Sequence, residues 1–246
     1  MRPEHATSGK LATTMCRTRP RPAIAALAVM ALAAAGCAQK HSEPPVEQPT
    51  YIGPANQLIT VTADSPTATT ATLTAWDRDG TQWVRAIGPL HADVGAQGIG
   101  PTSESATRSP AGIWTLTEAF GISANNGTRL PYRRVTPSDW WVSDTGSPLY
   151  NTHYTCAPGT CPFDESAGED LGTAGPAYDH AVVIDYNRSP VVAGAGSAYF
   201  LHVGDGTPTA GCVALPGADL DRVMRWLDPA QGPVIDIEVR DRPANA

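Results

Sequence analysis

Tyr199-Phe200-Leu201-His202-Val203 and Cys212-Val213-Ala214-Leu215-Pro216 are two short apolar runs separated by the eight residues Gly204 to Gly211, with glycine at 204, 206 and 211 and proline at 208. Runs of this length, bounded by glycine and proline, read as strands joined by a hairpin loop. An antiparallel pairing with His202 opposite Cys212 sets Leu201 against Val213 and Tyr199 against Leu215. Those four side chains then share one face and pack in a core. Phe200, His202, Cys212 and Ala214 share the other face, where opposed Cβ atoms about 5 Å apart bring imidazole and thiol near hydrogen-bond reach.

That juxtaposition suits nucleophilic catalysis. The thiolate is the attacking species, and a free cysteine with a pKa near 8.5 is mostly protonated at neutral pH. A neighbouring histidine that accepts the proton is left cationic and holds the thiolate ready. Gly211 fits the same scheme. Without a Cβ just before the nucleophile, N–H groups of the turn, including that of Cys212, can approach a developing oxyanion, and losing one such donor costs about 3 to 4 kcal/mol. The plainer readings are a cysteine serving as a small core hydrophobe and a histidine satisfied within a strand. His180 is a further candidate for the substrate side of the site, and Trp140, Trp141 and Tyr132 are candidates for either a groove or the core.

Outward from this segment the chain reads mostly as strands. Leu58 to Ala63 and Ala71 to Trp76 are rich in Thr, Leu, Ile and Val, and Asp79-Gly80 before Thr81 to Ile87 signals a hairpin. Further strands are expected at Gly112 to Thr117, Trp140 to Ser143, Ala181 to Tyr186 and Val234 to Arg240. One helix is expected, Ala218 to Leu227, with Leu220, Val223, Met224 and Leu227 on one face and Pro229 as its stop. Long stretches at His91 to Pro110 and Thr145 to Pro176 have the length of functional or disordered loops. The expected fold is mainly β, an antiparallel sandwich or barrel with one short helix near the C-terminus.

The 246 residues, 41% of them apolar, suffice for one well-buried core. Three domains of organisation are expected. Residues 1–37 read as an export signal, with Arg17, Arg19 and Arg21 before thirteen uncharged residues, Ala23 to Ala35, too few for a spanning helix. It closes on Ala34-Ala35-Gly36-Cys37, similar to a bacterial lipobox in which Cys37 takes the lipid. Residues 38–54 carry Pro44, Pro45, Pro49 and Pro54 and read as a tether that spans up to about 50 Å in extended form. Residues 55–242 form the folded domain. This places the protein outside the cytoplasm, anchored by lipid to the cell membrane and facing the periplasm or wall.

Charge and cysteine usage agree with that placement. Five of the 17 basic residues and one of the 24 acidic residues precede Cys37, which leaves 12 and 23, a net charge near −11. Such a surface repels phosphate backbones, so nucleic acid is not an expected partner. Cys156 and Cys161 flank a Pro- and Gly-bearing loop, and outside the cytoplasm such a pair oxidises. A metal knuckle is the alternative there, but no further ligands are in view. Cys16 falls in the leader, so Cys212 is left unpaired. No cofactor or metal is expected, and the chain is expected to be a monomer.

His202 followed by Thr209-Ala210-Gly211-Cys212-Val213-Ala214-Leu215-Pro216 resembles the catalytic segment of YkuD-type L,D-transpeptidases. Thr107-Arg108-Ser109-Pro110-Ala111-Gly112-Ile113-Trp114-Thr115-Leu116 is similar to that family's P-x-G strand opening. Pro131 to Val135, Trp140-Trp141 and His180 to Asn187 add to the likeness, which covers roughly Leu58 to Ile237. The resemblance implies a β-rich domain whose cysteine, here Cys212, attacks a peptidoglycan stem peptide and passes the acyl group to an amine on another stem. His202 is then the base, Gly211 the glycine before the nucleophile, and Thr209 and His180 the candidate substrate contacts. It also implies acylation by carbapenems. The chain departs from the family pattern in three ways: Thr-Ala-Gly-Cys stands where Ser-His-Gly-Cys is usual, Ala214 replaces a polar residue, and the interval from His202 to Cys212 is shorter. The family's grip on substrate is therefore not implied, which leaves open hydrolysis of a wall amide by water. A catalytically silent wall-binding lipoprotein and a zinc hydrolase using His180, His202 and Asp205 are the other readings.

Overall fold

The structure, a computed structural model, describes residues 48–240. The leader with Cys16 and Cys37, and the tether as far as residue 47, lie outside the described residues. The first half of the chain contributes β1 (Gln57–Ala63), β2 (Thr70–Asp79), β3 (Gln82–Asp93), β4 (Ile99–Gly100), β5 (Ser109–Pro110), β6 (Gly112–Thr115), β7 (Ala119–Gly121) and β8 (Tyr132–Arg134). After these come β9 (Asp139–Trp141), β10 (His153–Thr155), β11 (Glu169–Asp170), β12 (Ala181–Val183), β13 (Phe200–Val203), β14 (Val213–Leu215), α1 (Gly217–Trp226) and β15 (Val234–Val239).

Ten strands form one curled sheet in the order β6-β15-β1-β2-β3-β14-β13-β12-β7-β8. The β2–β3 hairpin turns at Gly80, as Asp-Gly predicts, with Asp79 opposite Gln82. The residues just before β1 pack on this ribbon: Tyr51 sits against Trp83, and Arg78 donates to Gly53 O at 2.8 Å. The helix α1 lies where its apolar period puts it. Asp219 in its first turn and Arg225 in its last complement the helix dipole. Its buried face of Leu220, Val223 and Met224, with Leu227 just beyond, joins Leu201, Val213 and Leu215 in the main core, each side chain contributing about 2 kcal/mol. Among the described residues no helix is long and apolar enough to cross a membrane.

The expected hairpin between β13 and β14 is not one. The strands pair in parallel, Leu201 with Val213, His202 with Ala214 and Val203 with Leu215. The loop between them fails to turn back because its far side is held elsewhere. Thr209 N donates to Val94 O at 2.9 Å and Ala96 N to Thr209 O at 2.8 Å, which carries the chain across to the end of β3 before β14 begins. Parallel neighbours usually need a crossover of a dozen or more residues; nine, residues 204–212, suffice here because the loop is stretched against residues 94–96.

The faces of the two strands are nonetheless those expected. Partners differ by twelve residues, an even number, so alternation sorts the side chains identically whichever way β14 runs. Tyr199, Leu201, Val213 and Leu215 face the main core, while Phe200 and Cys212 join a second cluster with Phe120, Trp141, Leu171 and Tyr178. That second cluster is roofed by residues 136–178, where β10-β9-β11 make a small antiparallel sheet. Both tryptophans are buried, Trp141 in this second cluster and Trp140 in a third with Val142 and Phe163. At its edge Cys156 and Cys161 are joined by a disulfide, and Trp140 Nε1 donates to Cys156 O. The sulfur of Cys212 thus lies between a sheet and a lid.

Candidate active site

Cys212 ends the crossover loop one residue before β14, and its backbone is fixed from two sides. Thr209 Oγ1 donates to Cys212 O at 2.6 Å and accepts from Gly211 N at 3.0 Å. From the first position of β5, Ser109 Oγ donates to the same carbonyl at 3.2 Å and accepts from Gly95 N. Gly211 has φ +144°, and a Cβ there would come within 2.9 Å of Arg108 O and 2.7 Å of the Tyr199 ring, so the position is closed to any side chain. The Gly211 N–H is spent on Thr209, which leaves that of Cys212 as the turn donor expected to meet an oxyanion.

His202 projects from β13 on the same face as Cys212. It stands beside Ala214, not Cys212, so the two functional groups are diagonal neighbours, a separation that longer side chains span. Its Nδ1 lies 2.8 Å from Val203 O. A carbonyl can only accept, so Nδ1 carries the proton and Nε2 of the neutral ring is an open acceptor. The ring is braced edge-on by Tyr178, with centroids 5.7 Å apart. The partner that orients the His202 ring is therefore a backbone carbonyl.

The surroundings of Cys212 and His202 work against the ion pair expected from the sequence. Burial pushes the Cys212 thiol up to about 12, and the Glu169 carboxylate adds to this against a smaller opposing effect of the Phe200 N–H. Burial also holds His202 below its ordinary value, partly offset by Val203 O and Asp205. Both shifts favour the neutral thiol and the neutral imidazole. Among the described residues the sulfur's hydrogen-bond partners are Ala198 O at 3.5 Å and Phe200 N at 3.4 Å, and not the His202 ring. Cys212 is 8% exposed, and that small surface opens on two cavities. The larger, about 460 Å³, is bordered by His202, Tyr178, Glu169, Asp205 and Thr209; the smaller, about 120 Å³, by Glu104, Ser143, Ser197 and again Glu169.

His180 does not belong to this site. Ala181 pairs with His202 across β12 and β13, so His180, one residue earlier, is turned away. Its Nδ1 contacts Asp221 at 2.8 Å and its Nε2 faces Ala124 O at 2.9 Å, so both nitrogens serve structure. Among the described residues no group of three His, Cys, Asp or Glu side chains is arranged to hold a metal ion. Three contributors were not singled out from the sequence: Ser109, Tyr178 and Glu169. Glu169 lies in the long stretch flagged as too extended for a passive loop, and Tyr178 falls just beyond it; Ser109 is inside the quoted P-x-G segment, with nothing local to mark its role.

Residues 60–235 match the family model of the YkuD L,D-transpeptidase catalytic domain. The chain belongs to this family. The match runs from within β1 to the start of β15, so the YkuD domain takes in the curled sheet, the lid, His202 and Cys212. No curated protein and no solved structure matches the chain. Membership makes the domain L,D-transpeptidase-like and points to peptidoglycan as its substrate class.

Proposed function

We propose that Cys212 is the nucleophile and His202 the base of an acyl transfer between peptidoglycan stem peptides, carried out by a protein that is exported and held to the membrane by lipid on Cys37. The observation that carries the reading is the pairing, on one sheet face and along one cavity, of the free thiol among the described residues with an imidazole whose Nε2 is unengaged. Because a buried thiolate is costly here, the proton leaves sulfur as the new bond forms. Nε2 takes it while Sγ attacks the stem carbonyl, with Cys212 N–H as a donor to the oxyanion. The imidazolium then protonates the departing amine of the terminal residue, leaving a thioester and a neutral base. An acceptor amine reverses the sequence and releases the sulfur.

Intact-mass measurement after incubation with a carbapenem tests this. One adduct is expected on the native protein and none on Cys212→Ala. His202→Ala is expected to slow acylation by about 100-fold, the usual scale of general-base help. An adduct of equal size on Cys212→Ala overturns the assignment. Product analysis with a stem-peptide donor separates transfer from hydrolysis: a cross-linked product excludes hydrolysis alone.

A further inference from the structure

An amine acceptor arrives as an ammonium ion and must lose two protons to become an amide nitrogen. In the transfer reading His202 relays one of them to the departing sulfur. The other needs a second base, and a cation entering a partly buried cleft needs a counter-charge. Glu169 meets both needs by position. It borders both cavities that touch Cys212, and it accepts a hydrogen bond from the Tyr178 hydroxyl, whose ring in turn braces His202. Among the described residues no basic side chain pairs with it. Asp205, the other carboxylate on the larger cavity, is at its solvent rim, where Thr207 N and Oγ1 both bind Oδ1. Glu104, across the smaller cavity, is occupied by the Tyr150 and Ser197 hydroxyls.

We propose that Glu169 is the acceptor-site base, binding the ammonium group of an amine acceptor and taking its first proton; this rests on the transfer reading above. In the step, R–NH₃⁺ gives one proton to the Glu169 carboxylate, and the freed lone pair forms the C–N bond at the thioester carbonyl. The C–S bond breaks with its electrons on sulfur, the second nitrogen-bound proton passes through His202 Nε2 to that sulfur, and Glu169 returns its proton to solvent. Burial raises the Glu169 carboxyl above its ordinary value, against the opposing effect of the Tyr178 hydrogen bond and with a smaller addition from the charge of Glu104, which makes it a better proton acceptor than an exposed carboxylate. The Glu169 carboxylate also disfavours negative charge on the Cys212 sulfur, so it hinders the first half-reaction and helps the second.

The test uses Glu169→Gln in the full chain with a stem-tetrapeptide donor and two acceptors at neutral pH: 1,3-diaminopropane, which is protonated, and hydroxylamine, which is not. Transfer to the diamine, relative to hydrolysis of the same acyl-enzyme, is expected to fall about 100-fold. Transfer to hydroxylamine is expected to persist, and carbapenem acylation to be at least as fast as in the native protein. Equal loss with both acceptors, undiminished transfer to the diamine, or the loss appearing in Asp205→Asn instead overturns the proposal. Should Glu169→Gln not fold, Tyr178→Phe decides, since it frees the carboxylate while keeping the ring: a loss confined to the diamine is expected, and no such loss overturns it. If the native protein forms no acyl-enzyme, the transfer reading itself fails, a result distinct from any of these.

Discussion

Alkylation of Cys212 by iodoacetamide is expected to speed up about tenfold for each pH unit from about pH 7 to about pH 10 without levelling off. The magnitude follows from the environment of the sulfur. Raising the thiol from 9.0 to about 12 disfavours the thiolate about 1000-fold, or ~4 kcal/mol, so at neutral pH roughly one molecule in 100,000 carries it. Burial between β14 and the lid is the main cause and the Glu169 carboxylate the second. The assay is the initial rate of mass increase on the native protein at a series of pH values, paired with thiolate absorbance in the ultraviolet. A plateau with a midpoint at or below about 8.5, accompanied by thiolate absorbance near neutrality, refutes the neutral dyad and restores an ion pair. Carbapenem acylation is expected to differ, because there His202 takes the proton. Burial disfavours the imidazolium, so the ring stays a neutral base to lower pH, and the acid loss of acylation is expected below 6.5, not at it.

Gly211→Ala forces a Cβ against Arg108 O at φ +144° and is expected to cost about 1 to 3 kcal/mol, seen as a lower melting temperature together with loss of the carbapenem adduct. Ser109→Ala removes the acceptor of Gly95 N and one of two donors to Cys212 O. Its expected cost is also about 1 to 3 kcal/mol in urea unfolding, with slower acylation. Cys156→Ser opens the clip at the edge of the lid, and urea unfolding is expected to show a loss of about 2 kcal/mol with the Cys212 adduct still forming. His180→Gln gives up the contact with Asp221 and is expected to lower the melting temperature while leaving the acylation rate unchanged; a slowed rate would return His180 to the substrate side.

The sequence by itself determined which side chains share a face. Alternation in a strand is a local, period-two property, so Phe200, His202 and Cys212 fall together whether β14 runs up or down, and the glycine before the nucleophile, the helix face of Leu220, Val223 and Met224, and the Asp79-Gly80 turn were readable in the same local way. The direction of β14 was not, because it is set by hydrogen bonds from Thr209 to residues more than a hundred positions earlier. Nor were the tautomer of His202, the protonated state of the thiol, or the arrival of Glu169 and Tyr178 beside it. The tautomer depends on where the Val203 carbonyl comes to point, and the state of the thiol on the burial and the charge that the folded lid brings, and those are properties of the packed whole.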